Sequence, residues 1–252
     1  EVKNKGVTDS INYANRIQQA ILPNASKISN MLKNYFLLHI PKDIVSGDFY
    51  WVEKVEEKIY IAVADCTGHG VPGAMVSVVC NNALNRSIQE FKLSAPKDIL
   101  NKTSELVVDS FDNGSQIIND GMDIALCCID TANNKLTFSG ANNPLIIIKK
   151  DELRILHPDR QPIGKYLFGK SFTQEEVLLD NDETIYLFSD GFVDQFGGVR
   201  GKKYKSKTLL NFLTTISEST LKKQKYLLQK EFKDWKGDLE QIDDVCIMGF
   251  KI

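Results

Sequence analysis

No apolar run in this chain approaches the roughly 20 residues that a membrane-spanning helix needs. The N-terminal stretch also lacks the apolar core of a signal peptide. A net charge of −2 leaves no global positive field to recruit nucleic acid or an anionic membrane. Histidine is scarce, at three residues, so the His-rich ligand set common to many two-metal phosphodiesterases is missing. The five cysteines (Cys66, Cys80, Cys127, Cys128, Cys246) are odd in number and form no CxxC pair. That argues against a disulfide framework or a zinc site and for buried, reduced thiols in a cytoplasmic chain. Internal repeats and low-complexity linkers are absent. An initiating methionine is absent too, and we expect an excised C-terminal domain of a longer protein, which can itself be membrane-tethered.

What is present is ordinary globular material. The 252 residues are 42% hydrophobic and 25% charged, enough for one domain with a sizeable core. "TDSINYANRIQQAILP" sets Ile11, Ala14, Ile17 and Ile21 at helical spacing, with cap candidates at Thr8, Asp9 and Ser10 and a stop at Pro23. This helix is either a peripheral element or the tail of a coiled coil from a preceding sensor. Extended patterns follow at 35–40, 48–55 and 58–65, then helical ones at about 71–90 and 95–111. Strand patterns resume at 123–130, 135–141, 144–150, 152–157 and 183–190. Two helices near 206–217 and 219–233 and a closing strand at 243–252 complete the chain, with 191–206 read as a surface loop. Strand runs set between helix runs predict an α+β fold rather than strict βα alternation.

The chemistry lies at strand ends. Asp48 in "SGDFYW" and the pair Asp243–Asp244 in "DDVCIM" begin strands, whereas Asp65 in "VADCTGHGVPGAM" and Asp190 in "FSDG" end them. In antiparallel sheets a strand's start adjoins its neighbour's end, so all four places can share one rim. An Asp-Gly after a strand is by itself only a turn signal. Several carboxylates on one rim repel each other, and cations relieve that repulsion. Oxygen-only ligands suit Mg²⁺ or Mn²⁺.

These four motifs, with "RIQQAILP" before the first strand, "GANNPLIII" at 140–148 and "RQPIG" at 160–164, resemble the metal-dependent protein phosphatases (PPM, type 2C), in their bacterial SpoIIE-like or RsbU-like branch. The resemblance runs from about residue 11 to 252. It implies a four-layer αββα sandwich of two antiparallel sheets flanked by helices, with residues 1–22 as a signalling helix and 23–252 as the phosphatase domain. It implies two Mn²⁺ or Mg²⁺ ions bridged by Asp65, with the backbone carbonyl of Cys66, Asp190, Asp48 and one of Asp243 or Asp244 completing the set. Asp243 is favoured within that pair. Asp120 or Asp123 in "NDGMD" would touch a third, weaker metal.

The implied reaction is hydrolysis of a phosphoserine or phosphothreonine ester by a water activated between the metals. The implied substrate is a bacterial signalling protein, such as a STAS-type anti-sigma-factor antagonist. His69 reads either as a general acid or as a loop histidine that orients a water. His39 reads as structural, His157 as solvated, and Arg160 as a surface residue. The basic run 197–207 is either a solvated loop or a flap for an acidic partner. Two other functional classes stay open: a phosphatase fold kept only as a docking module, and a two-metal phosphodiesterase. The signalling helix is expected to serve an upstream sensor and to form a homodimer. No contact with nucleic acid or membrane is expected of this domain.

Overall fold

The structure is a computed structural model that describes residues 2–112, 119–166 and 169–252. Its centre is two five-stranded antiparallel sheets packed face to face. One has the order β1 (Asn34–Ile40), β12 (Val245–Lys251), β9 (Thr184–Phe188), β6 (Leu145–Lys149), β7 (Glu152–Leu156). The other has the order β2 (Phe49–Val55), β3 (Lys58–Cys66), β4 (Met122–Asp130), β5 (Lys135–Ala141), β8 (Glu175–Leu178). Helices α3 (Gly70–Gln89) and α4 (Pro96–Phe111) cover the second sheet, and α6 (Ser206–Ile216) and α7 (Leu221–Lys236) cover the first. This is the αββα sandwich of the α+β class.

The strands are long apolar runs because they are covered on both faces. Ile61, Ala62, Val63 and Ala64 of β3 are all fully buried, as are Ile124 to Cys127 of β4. Such runs carry no alternation, as expected for strands buried on both sides. Between the sheets, β3 packs on β9 and β12. Outside the first sheet, Tyr186 of β9 donates from its hydroxyl to Gln224 Oε1 (2.8 Å), and Gln224 Nε2 caps the carbonyls of Ser217 and Ser219. The polar end of a buried tyrosine is thereby satisfied by α7.

Several sequence expectations need correction. Helix α1 spans Val2–Ile21, so Thr8, Asp9 and Ser10 lie inside it, and Ser10 Oγ bonds back to Gly6 O (2.9 Å) rather than capping. Its inward face carries Gln18 and Ile11, whereas Ile17 and Ile21 point outward. A polar residue with a buried partner outcompetes isoleucine for the inner position. Two short elements escape periodicity: α2 (Ala25–Met31), capped by Asn24 Oδ1 on Lys27 N (2.8 Å), and strand β8. Residues 191–206 are not simply a surface loop. They hold α5 (Gly191–Asp194) and the hairpin β10 (Phe196–Gly197) with β11 (Lys202–Lys203). Phe192 and Tyr204 there are buried against Trp235 and Phe232 of α7, an aromatic cluster that long-range packing alone creates.

Gly249, in the middle of β12, faces Phe36 of β1, and a Cβ at that position would overlap the Phe36 ring. Phe36 is itself confined beside Tyr186. Gly249→Ala should therefore lower unfolding free energy by about 1–3 kcal/mol through overpacking. Chemical denaturation measures this, and an unchanged midpoint would contradict the packing described.

Candidate metal centre

Asp65 is the penultimate residue of β3, and its register partner in β4 is Asp123. Asp190 follows β9 and Asp243 precedes β12, and β9 and β12 are paired neighbours. Antiparallel register thus delivers all of these carboxylates to one rim of the sandwich. A cavity of about 230 Å³ at that rim is lined by Asp65, Asp123, Asp190 and Asp243, with Cys66, Gly68 and Lys165. The backbone N–H of Asp190 points to Asp65 Oδ2 at 3.4 Å.

The carboxylates repel one another, and each is partly withdrawn from solvent. Burial first, and then the charges of Asp190 and Asp243, push the Asp65 carboxyl up to about 8. Burial also raises Asp190, with Asp194 next in importance, and it raises Asp243 and Asp123. Asp48 is buried just before β2 and does not line the cavity. Burial and neighbouring Asp65 hold its carboxyl well above the usual range, and a hydrogen bond donated by Ser189 Oγ to Asp48 Oδ2 opposes that shift.

The adjacent pair Asp243–Asp244 divides its work. Asp244 turns inward, where Oδ1 accepts from Lys42 N (2.7 Å) and Oδ2 from Gly47 N (2.7 Å). Both of its oxygens are taken by the loop 41–47, and Asp243 is left facing the cavity. Asp120 accepts from Thr67 Oγ1 (2.8 Å) and Asp123 accepts from Asn142 Nδ2 (2.8 Å), so of the two only Asp123 borders the cavity. The Cys66 thiol is fully buried and packs beside Cys80. What Cys66 can offer an ion is its main-chain oxygen.

The "TGHGVPGAM" stretch makes physical sense here. Gly68 has φ +81°, a left-handed conformation that admits glycine readily. Gly73 and Gly47 press against the Gly68 carbonyl so closely that a Cβ on either would overlap it. The start of α3 can therefore sit directly under the rim. His69 precedes α3: Nδ1 meets Asp43 Oδ2 (3.1 Å) and Nε2 meets Lys42 Nζ (3.0 Å). Both ring nitrogens are engaged by loop 41–47.

His39 meets Ser46 Oγ (3.2 Å) and packs edge-on against Tyr50, and burial lowers its pKa. His157 and Arg160 are exposed, and neither lines the cavity. Sequence reasoning missed the two lysines near the carboxylates, Lys42 and Lys165. Lys165 directly follows the "RQPIG" segment, which was the available signal. Lys42 had none, because its proximity depends on the contact with Asp244.

Among the described residues, no group of three His, Cys, Asp or Glu side chains could hold a metal on its own. The convergent donors are carboxylate oxygens. They fit a hard cation that takes one or two carboxylates and keeps several waters, which is the habit of Mg²⁺ and similar ions.

Fold and site define a PP2C-type phosphatase domain. A family model described as stage II sporulation protein E (SpoIIE) matches residues 56–252, and the chain belongs to that family. The structure is similar to the SiaA PP2C domain of Pseudomonas aeruginosa, with TM-score 0.91 and 31% identity over 99% of this chain and 98% of that one. The PP2C phosphatase domain of SpoIIE from Bacillus subtilis, solved with a fragment of its regulatory domain, shares the fold at TM-score 0.68 and 17% identity, over 87% of this chain and 61% of that one. The RsbU and RsbW domains of a Mycobacterium tuberculosis protein do so at TM-score 0.69 and 15% identity, over 86% and 59%. A comparison with curated proteins finds no match.

The raised Asp65 pKa has a definite sign. The folded form keeps a proton that the unfolded chain releases between the ordinary value of 3.8 and about 8. Without divalent ions, this group therefore lowers stability progressively as pH rises through that window. The metal-free thermal midpoint should fall from pH 5 to pH 8 and fall less in Asp65→Asn. Mn²⁺ at pH 8 should restore it by binding the native state. Superimposable pH profiles for the two proteins would refute this electrostatic reading.

Proposed function

We propose that the protein is a Mn²⁺- or Mg²⁺-dependent serine/threonine phosphatase. Its substrate would be a phosphoserine or phosphothreonine on a bacterial signalling protein, with a STAS-type anti-sigma-factor antagonist as the implied class. The observation that carries this reading is the convergence of Asp65, Asp190 and Asp243 on one small cavity at the rim of the sandwich. Membership of a PP2C-type family, which generally uses these ions, supports it.

When bound, divalent ions supply an activated water and offset charge on the phosphoryl oxygens. The residues of this chain hold and orient. Asp65, at the end of β3, would hold an ion from one sheet, with the Cys66 carbonyl as a further donor. Asp190 and Asp243 complete the set from the opposite sheet. Asp48 stiffens the rim through Ser189, and Asp244 fixes loop 41–47. Lys42 and Lys165 bring positive charge toward the place a phosphoryl group would occupy. His69 and Asp43 hold Lys42 in place.

Helix α1 is suited to carry a signal. Gln18 Nε2 donates to Ser46 O (2.6 Å) and Ser77 Oγ (3.0 Å), and Gln18 Oε1 accepts from Ser46 N (3.1 Å). Ser46 Oγ in turn donates to Asp48 O (3.0 Å). A shift of α1 would thus move the loop that sets Asp48. The outer face of α1 exposes Val7, Tyr13, Ile17 and Ile21, which suits a homodimer or an upstream sensor. No helix among the described residues is long and apolar enough to cross a membrane. A cytoplasmic location belongs to this reading. The alternative, a phosphatase fold retained for docking, draws on one observation, that among the described residues no three side chains stand ready to hold an ion alone.

Release of phosphate from a phosphoserine peptide should require Mn²⁺ or Mg²⁺. It should drop about a hundredfold or more in Asp190→Asn. Metal-independent release, or full activity in that variant, would remove the assignment. For α1, deletion of residues 1–22 should change turnover and halve the mass seen by light scattering. Turnover and mass both unchanged would discard its signalling role.

A further inference from the structure

A second cleft, of about 500 Å³, opens beside the carboxylate cavity, on the side of β6, β7, α5 and α6. The two share Asp123 and Asp190 as walls, so whatever is bound in one is continuous with the other. Much of this cleft is apolar, from Pro144, Ile146, Ile155, Phe188, Val193 and Leu210, with His157, Ser189 and Ser206 among them. Ile155 and Leu210 are only half-buried, although they pack onto the core of the first sheet. The volume falls within the usual range of ligand pockets and holds a large side chain with room for adjoining backbone.

The turn "ANNP" (141–144) forms the boundary between cavity and cleft. Asn142 takes a left-handed conformation, φ +57°, and ties its amide to Asp123 (2.8 Å). That conformation presents the next residue, Asn143, to the cleft wall. Asn143 is 8% exposed, and its Nδ2 is buried without a hydrogen-bond partner. Buried amide donors are nearly always satisfied; this one is covered in the structure, and a turn of the side chain would bring it to an acceptor arriving in the cleft. A peptide carbonyl is such an acceptor.

We propose that this cleft is a specificity subsite that takes a large apolar side chain, of leucine or phenylalanine size, flanking the phosphorylated residue of the protein substrate. With its side chain turned outward, Asn143 would receive the adjoining main-chain carbonyl. The inference rests on the phosphatase reading above. An extended chain advances about 3.3 Å per residue, so a side chain one or two residues from the phosphoserine spans the shared wall at Asp190. The cleft is apolar where the cavity is acidic, so the two recognise different parts of one chain.

The test is a set of phosphoserine peptides with Mn²⁺, carrying leucine, glycine or aspartate at each of the two positions on either side of the phosphoserine. At one or more of these positions, leucine should raise kcat/KM at least about tenfold over glycine, and aspartate should lower it. The leucine-to-glycine ratio should collapse toward one in Ile155→Gln and in Leu210→Gln. It should persist in Leu178→Gln, a change to an exposed apolar residue far along β8. Ratios within twofold at every position in the wild type would overturn the subsite, as would a ratio that survives both cleft variants. Hydrolysis of para-nitrophenyl phosphate, which has no flanking chain, separates the two failures. If it proceeds while the peptides show no preference, only the subsite falls. If no phosphate ester is hydrolysed, the phosphatase reading falls and takes the subsite with it.

Discussion

Carboxylates that cannot escape one another set the terms for this molecule. Asp65, Asp190 and Asp243 share one cavity, and Asp48 lies buried behind Ser189. In isolation each would move away or keep a proton. Here each is anchored at the end of a strand whose remaining residues are locked in a two-sided core. The apolar burial of β3, β4, β9 and β12 therefore does more than stabilise the fold. It opposes the electrostatic repulsion at the rim, and it does so because a strand cannot withdraw its last residue without sliding its whole register.

Loop 41–47 joins the elements that surround this rim. It carries no regular structure, yet its backbone donors satisfy both oxygens of Asp244, its Ser46 holds Gln18 of α1, and its Lys42 holds His69 at the start of α3. Three distant parts of the chain meet through polar contacts that are mostly buried. Such contacts are strong when complete, and an open donor or acceptor among them is expensive. Movement at α1 is therefore coupled to the rim by hydrogen bonds rather than by bulk packing.

The site has two chemically unlike neighbours. On one side lie the acids, with Lys42 and Lys165 supplying positive charge nearby. On the other lies an apolar cleft separated from them by the Asn142–Asn143 turn. Asn142, in a left-handed conformation, ties its amide to Asp123, one of the walls that the two share.

Much of this was legible in the chain. Apolar runs ending in Asp-Gly, turn residues and helical spacing located the main strands and helices, and antiparallel pairing placed four acidic motifs on one rim. These are local properties: hydrophobic period and turn chemistry act over a few residues and need no partner. Which side chain turns which way was not legible. Asp243 and Asp244 are identical neighbours, and only the backbone donors of Lys42 and Gly47, some 200 residues earlier, draw Asp244 inward. Ile17 looked like a core residue until Gln18 found Ser46, and 191–206 looked like a loop until Phe192 and Tyr204 met Trp235. The sequence by itself determined the order of elements and the supply of carboxylates. Tertiary structure decided which of them face one another, because that choice depends on contacts between segments far apart in the chain.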